Sequence, residues 1–202
     1  MTMVKVCGLT NKNDLMAALE AGADMVGFIH VPKSPRFVSV AQLRSLLEAV
    51  PPGVQRVIVV QDLDSDELDH LRNQLAFDHF QFHGQETPEL VARHGGYKVI
   101  HVRGDQFNPC MAEAFPGMVM LDTQWGSQRG GSGRTFQWSI LRGLEKPSIV
   151  AGGLRPENVS DLIANFKPWG VDVCSGIEKC PGQKDHAAMT QFISKVRSVP
   201  TS

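Results

Sequence analysis

The segment from Pro147 to Gly176, PSIVAGGLRPENVSDLIANFKPWGVDVCSG, constrains the fold more than any other part of the chain. It reads as a strand over Ser148 to Ala151 ending in Gly152-Gly153, then a helix from about Pro156 to Phe166. A second strand over Val171 to Cys174 ends in Ser175-Gly176. Pro156 suits a first helical turn, where its missing N–H costs nothing, and Glu157 suits the positive end of the helix dipole. Two parallel strands that both stop at glycine leave backbone N–H groups free and let an anion come close. In a closed barrel of βα units, the loops after the last two strands are the usual grip for phosphate. Six more βα units are therefore expected upstream, and a small phosphorylated molecule is the expected ligand.

The pattern upstream supplies them. Val4 to Gly8 is a short strand, and Asn11 to Ala21 carries Leu15, Ala18 and Leu19 at helical spacing before Gly22. Further strands are expected over Asp24 to His30, Gln55 to Gln61, His79 to His83, Lys98 to Arg103 and Met118 to Asp122. Helices are expected over Val40 to Ala49, from the Asp64-Ser65 cap to about Leu75, and from Pro88 to His94. A short one fits Pro109 to Phe115, and another fits Phe136 to Leu141. A last helix, about Asp185 to Val196, should pack back over strand one. The alternation predicts one α/β domain over residues 1–202, a single (β/α)8 TIM barrel. A doubly wound open sheet would show an early nucleotide loop, and neither GxGxxG nor GxxxxGK[ST] occurs.

Composition excludes several function classes. A net charge of −1 argues against non-specific nucleic-acid binding as the main business of the chain. No apolar run approaches the ~20 residues of a membrane span. Cys7, Cys110, Cys174 and Cys180 show no CxxC and no zinc spacing, and no signal peptide is evident. Reduced thiols in a cytoplasmic protein are expected, with no metal and no cofactor. A monomer is the expected state.

In a parallel barrel, function lies at the carboxyl ends of the strands. Those ends bring Cys7 after strand one, Arg36 after strand two, His83 after strand four and Asp122 after strand six. Strands seven and eight supply Gly152, Gly153, Ser175 and Gly176. Round a closed barrel, strands six and one flank seven and eight, so a phosphate held there sets its sugar between Asp122 and Cys7. A carboxyl and a thiol facing one ligand make an acid/base couple. With no cofactor fingerprint, an isomerisation by proton transfer fits. Each residue also has a plainer reading. Cys7 reads equally as a small buried hydrophobe, and it needs positive potential nearby to act as a thiolate. Asp122 reads as a turn cap, Arg36 as a surface residue, His83 as a hydrogen-bonded loop histidine and the glycine pairs as turn punctuation. The stretch Gly126 to Gly133 is either a flexible connection or a loop that closes over substrate.

Taken in order, the motifs carry a family likeness. They are KVCGLT from Lys5, SPR from Ser34 with Val38 and Ser39, QFHG from Gln81, Asp122, and GGSG from Gly130 with Phe136 and Trp138. AGGL from Ala151 follows with Pro156, Asn158 and Val159. GVDVCSG from Gly170 closes the set with Glu178, Pro181, Gly182, Lys184 and Asp185. Over almost the entire chain this set resembles phosphoribosylanthranilate isomerase. The resemblance implies a cofactor-free barrel of tryptophan biosynthesis. It implies an Amadori rearrangement of N-(5-phosphoribosyl)anthranilate to 1-(2-carboxyphenylamino)-1-deoxyribulose 5-phosphate. It casts Asp122 as the acid that protonates the ribose ring oxygen and Cys7 as the base that removes the C2 proton. Arg36 would face the anthranilate carboxylate, which planar guanidinium geometry suits. The backbone near Gly152, Gly153, Ser175 and Gly176 would hold the phosphate. The chain departs from the family with Cys174 and Cys180 in place of serine, Gln61 in place of phenylalanine and Gln137 in place of Asp. Two other readings stand beside this one. One is the related aminoaldose isomerase of histidine biosynthesis, whose two-aspartate chemistry Cys7 does not match; the other is a phosphate-binding barrel without catalysis.

Overall fold

Strand β1 (Met3–Val6) sets the geometry, because its side chains alternate between two different interiors. Val4 and Val6 join the larger apolar core beneath the helices. Lys5, on the opposite face, points into the barrel and ion-pairs with Asp172 at 2.8 Å. The computed structural model describes residues 1–103, 107–125, 128–129 and 135–200. The other parallel strands are β2 (Met25–Ile29), β3 (Gln55–Val60), β4 (His79–Phe82), β5 (Gly96–Val102), β6 (Val119–Trp125), β7 (Ser148–Val150) and β8 (Gly170–Val173). Each pairs with the next, and β8 returns to β1 with Met3 opposite Gly170 and Val6 opposite Val173, which closes the barrel.

The same period of two runs around the ring. Met25, Val57, Tyr97, Val99, Met120, Ile149 and Ala151 form a second apolar cluster inside the barrel, separate from the one under the helices. This inner layer is partly polar: Tyr97 Oη donates to Gln81 Oε1 at 3.2 Å, beside the Lys5–Asp172 pair. The helices between strands are α1 (Lys12–Ala21), α2 (Val40–Glu48), α3 (Ser65–Gln74), α4 (Pro88–His94), α5 (Pro109–Glu113), α6 (Val159–Phe166) and α7 (His186–Ser198). Asn11, Ser39, Asp64, Thr87 and Asp185 cap five of them, each side chain accepting from a backbone N–H three residues on. The last helix lies against α1 and α6. Its Arg197 reaches Thr2 O at 2.9 Å and Asp24 Oδ2 at 2.7 Å, which ties it to the start of β1.

Three expectations shift. Helix α6 begins at Val159 rather than Pro156, because residues 156–158 form a turn in which Arg155 N donates to Asn158 Oδ1. The crossover from β6 to β7 carries a 3-10 helix, Trp138–Gly143, in place of an α-helix over Phe136 to Leu141. Strand β6 runs past Asp122 to Trp125, where it pairs antiparallel with Gln128–Arg129. Asp122 still marks the mouth, since the neighbouring β7 stops at Val150, opposite Leu121. Apart from residues 128–129, the loop Gly126 to Gly133 lies outside the described residues.

A buried network pins the ends of β3, β4 and β5. Lys98 Nζ donates to Gly84 O at 2.5 Å and to Glu86 Oε2 at 2.7 Å. Glu86 in turn accepts from the N–H groups of Asp62 and Gly84. Lys98→Met would leave a carboxylate of 1% side-chain exposure without its cation. That variant is expected to lose about 3–5 kcal/mol of stability, read as a lower midpoint in chemical denaturation.

Candidate active site

One step further along each inward-facing row, the side chains reach the mouth of the barrel. Cys7 follows Lys5 by two, His83 follows Gln81, Asp122 follows Met120 and Cys174 follows Asp172. They border a cavity of about 360 Å³. All eight residues expected from the sequence line it: Cys7, Arg36, His83, Asp122, Gly152, Gly153, Ser175 and Gly176. Lys33, Gln61, Asp172 and Cys174 line it as well.

Cys7 is buried at the end of β1, and its backbone N–H donates to Val173 O at 2.9 Å. Gly27 in β2 makes room for it. A Cβ there would stand 2.9 Å from Cys7 Sγ and 2.8 Å from Lys5 Nζ, so thiol and ammonium share one small space. A hydrogen bond from Cys174 lowers the Cys7 thiol to about 7; burial opposes this, and the Lys5 charge assists it. The Cys174 thiol moves the other way, first through that same bond and then through burial. The Lys5 charge supplies part of the local positive potential that a thiolate needs.

Asp122 is pushed up to about 7, chiefly by burial and further by the Asp172 charge. His83 Nε2 stands 3.8 Å from its Oδ2, a charge contact rather than a hydrogen bond. His101 stacks edge-on behind His83, with ring centroids 4.8 Å apart. His83, His101 and Asp122 each offer a ligand atom, all within 4.8 Å of one another. Gly152, at φ +83°, lets the loop after β7 pass over the carboxyl. An added Cβ would stand 2.5 Å from Asp122 Oδ1 and 2.5 Å from Thr123 N. Gly152→Ala is therefore expected to lose about 1–2 kcal/mol to backbone strain. By shifting the carboxyl it should also cut turnover up to roughly 100-fold. Steady-state rates beside a thermal melt separate the two effects.

The two glycine loops form one surface. Gly176 sits against the loop from β7 so closely that a Cβ would come within 1.9 Å of Leu154 O. The carbonyls of the first loop are turned into the protein. Thr123 Oγ1 donates to Gly152 O at 3.3 Å, and Asn158 Nδ2 donates to Gly153 O at 3.0 Å. Across the mouth, Arg36 donates through Nε (2.8 Å) and Nη2 (2.5 Å) to the two oxygens of Glu178. That bond raises the Arg36 pKa. Lys184, fully buried, donates to Glu178 Oε1 at 2.9 Å and to Cys174 O at 3.0 Å. Burial opposes ionisation of Glu178, but Arg36 and Lys184 together hold it below its ordinary range.

Lys5, Gly27, Asp172, Glu178 and Lys184 were not singled out as site residues from the sequence. Parity was the available signal for two of them: Lys5 is two residues before Cys7, and Asp172 is four before Gly176 on a strand expected to line the mouth. The pairing of Glu178 with Arg36, 142 positions away, has no local signature.

The family model for N-(5'phosphoribosyl)anthranilate (PRA) isomerase matches residues 4–195. An N-(5'-phosphoribosyl)anthranilate isomerase of Pseudomonas fluorescens (strain Pf0-1) is 43% identical over 198 residues, 96% of this chain and 97% of that relative. The crystal structure of phosphoribosyl anthranilate isomerase from Thermotoga maritima aligns at TM-score 0.87 and 33% identity, covering 98% of this chain and 99% of that one. The Thermotoga enzyme is dimeric. A phosphoribosyl anthranilate isomerase in complex with reduced 1-(o-carboxyphenylamino)-1-deoxyribulose 5-phosphate aligns at TM-score 0.84 and 32% identity, with coverage of 98% and 99%. Fold and sequence both match over nearly all of the chain, which belongs to the N-(5'-phosphoribosyl)anthranilate isomerase family.

Proposed function

We propose that this chain converts N-(5'-phosphoribosyl)anthranilate to 1-(2-carboxyphenylamino)-1-deoxyribulose 5-phosphate in tryptophan biosynthesis, with Asp122 as general acid and Cys7 as general base. One observation carries the reading: a carboxyl raised to about 7 and a thiol lowered to about 7 line one cavity, beside two glycine loops. Asp122 gives its proton to the ribose ring oxygen, the C1–O bond breaks and the substrate nitrogen forms a Schiff base with C1. Cys7 then takes the proton from C2, and the resulting enolamine becomes the ketone. No net electron transfer occurs, so the reaction needs no redox cofactor. The backbone N–H groups of Gly152, Gly153, Ser175 and Gly176 hold the phosphate. Arg36 meets the anthranilate carboxylate through Nη1, its other face being held by Glu178. His83 borders the reacting sugar beside Asp122.

We read residues 1–202 as one domain that carries this activity as a cytoplasmic monomer. Among the described residues no helix is long and apolar enough to cross a membrane. Among the described residues the exposed large apolar side chains are Met1, Met16, Phe37, Met111 and Trp169. Light scattering across a concentration series checks the monomer, and a mass of two chains would replace it.

The reaction is tested by the fall in anthranilate fluorescence when purified protein meets freshly generated substrate, with spontaneous breakdown subtracted. Saturable, protein-dependent turnover is expected. A folded protein inert on this substrate but active on the histidine-pathway aminoaldose would move the assignment to that reaction. Inactivity on both would leave a phosphate-binding barrel.

A further inference from the structure

Cys7 and Cys174 follow neighbouring parallel strands at the same height. Val6 is opposite Val173, and Cys7 N donates to Val173 O at 2.9 Å, so the two cysteines are the next opposed residues. Paired strands lie about 4.8 Å apart, inside the Cα separation a disulfide spans. A Cβ added at Gly8, the residue after Cys7, would stand 2.7 Å from Cys174 Sγ, so the second thiol crowds the end of β1 where the first one sits. Each also has an ammonium of its own. Lys184 Nζ is 3.7 Å from Cys174 Sγ, and Lys5 Nζ shares with Cys7 Sγ the space left by Gly27. Both thiols line the cavity, which admits a small oxidant. Cys110 and Cys180 are exposed and stand on other elements.

We propose that Cys7 and Cys174 are a peroxide-reactive dithiol that closes to a disulfide inside the cavity and stops turnover reversibly. The loss of turnover, though not the disulfide itself, rests on Cys7 being the base. The Cys7 thiolate attacks one oxygen of hydrogen peroxide; the O–O bond breaks, and hydroxide leaves and takes up a proton as water. Sulfur of Cys174 then attacks the sulfenic acid; the S–S bond forms, the S–O bond breaks and a second water departs with the Cys174 proton. Two thiols lose two electrons and two hydrogens, and the peroxide is reduced to two waters. A resolving thiol this close intercepts the sulfenic acid before further oxidation. Lys5 and Lys184 favour the anionic sulfurs the exchange needs.

The test treats the full chain with hydrogen peroxide, removes the excess and maps its peptides without reduction while turnover is followed. The expected result is a Cys7–Cys174 linked peptide pair, two hydrogens lighter than its parts. Turnover should fall in proportion to the linked fraction, and dithiothreitol should restore both. In Cys174→Ser, Cys7 should instead gain oxygen atoms, and dithiothreitol should fail to restore full turnover. Oxygen adducts at Cys7 of the unsubstituted chain without the link, or a link confined to Cys110 or Cys180, overturn the dithiol. A Cys7–Cys174 link that leaves turnover unchanged upholds the dithiol and removes Cys7 from the chemistry, so the two failures are told apart.

Discussion

Asp122→Asn is expected to lower kcat roughly 10²–10⁴-fold, while a phosphorylated product analogue binds nearly as before. The amide keeps the shape of the carboxyl but carries no acidic proton, and the glycine loops are untouched. Burial first, then Asp172, puts the wild-type carboxyl at about 7, so the acid is in its working form below that pH. Turnover that depends on it should fall as pH rises through about 7, and this alkaline limb should vanish from the residual rate of the variant. His83, His101, Asp172, Cys7 and Lys5 all face the group, so the value read from the profile belongs to the cluster. The substitution should move stability the opposite way from turnover. The folded value is raised above the ordinary 3.8, so the stability this carboxyl contributes is full below 3.8 and is lost as pH climbs through about 7. Asparagine cannot ionise. At pH 8 the variant is therefore expected to be the more stable protein, by on the order of a few kcal/mol, with the gain gone in acid. Rates by fluorescence and melts at two pH values check both halves, and near-wild-type turnover in a folded Asp122→Asn would place the acid elsewhere.

Cys7→Ser should be as severe for a different reason. The Cys174 hydrogen bond and the Lys5 charge bring the thiol to about 7 against burial, which makes it a base near neutrality. A serine hydroxyl ionises far outside that range, so the C2 proton has no acceptor and turnover is expected to fall roughly 10²–10⁴-fold. The acidic limb of the wild-type profile, rising through about 7, should go with it. Alkylation gives a reading independent of turnover. Peptide mapping should show iodoacetamide labelling of Cys7 reaching half its limiting rate near pH 7, with exposed Cys110 and Cys180 as internal references. Full activity in a folded Cys7→Ser would end this assignment.

The barrel was legible because most of the parallel strands are short apolar runs near a glycine, and five of the seven helices begin at Asn11, Ser39, Asp64, Thr87 or Asp185. That the eight candidate residues line one cavity at the mouth followed from strand order. What the chain hid was contact between distant rows. That Lys5 points inward beside Cys7 follows from alternation, but its pairing with Asp172 depends on the closure of β8 onto β1. The grip of Glu178 on Arg36 depends on the fold of the chain after β8, which has no periodic signal. Boundaries slipped where side chains competed with backbone, as at Asn158, or where pairing extended a strand, as at Trp125.

The contact of Gly176 with Leu154 O has a consequence for how such a barrel can change. The loops after β7 and β8 touch backbone to backbone, with no side chain between them to absorb a difference in length or shape. Neither can be lengthened, shortened or exchanged while its neighbour stays as it is. A change of shape in one of these loops therefore calls for a matching change in the other, so a graft that alters this rim is best made with both loops together.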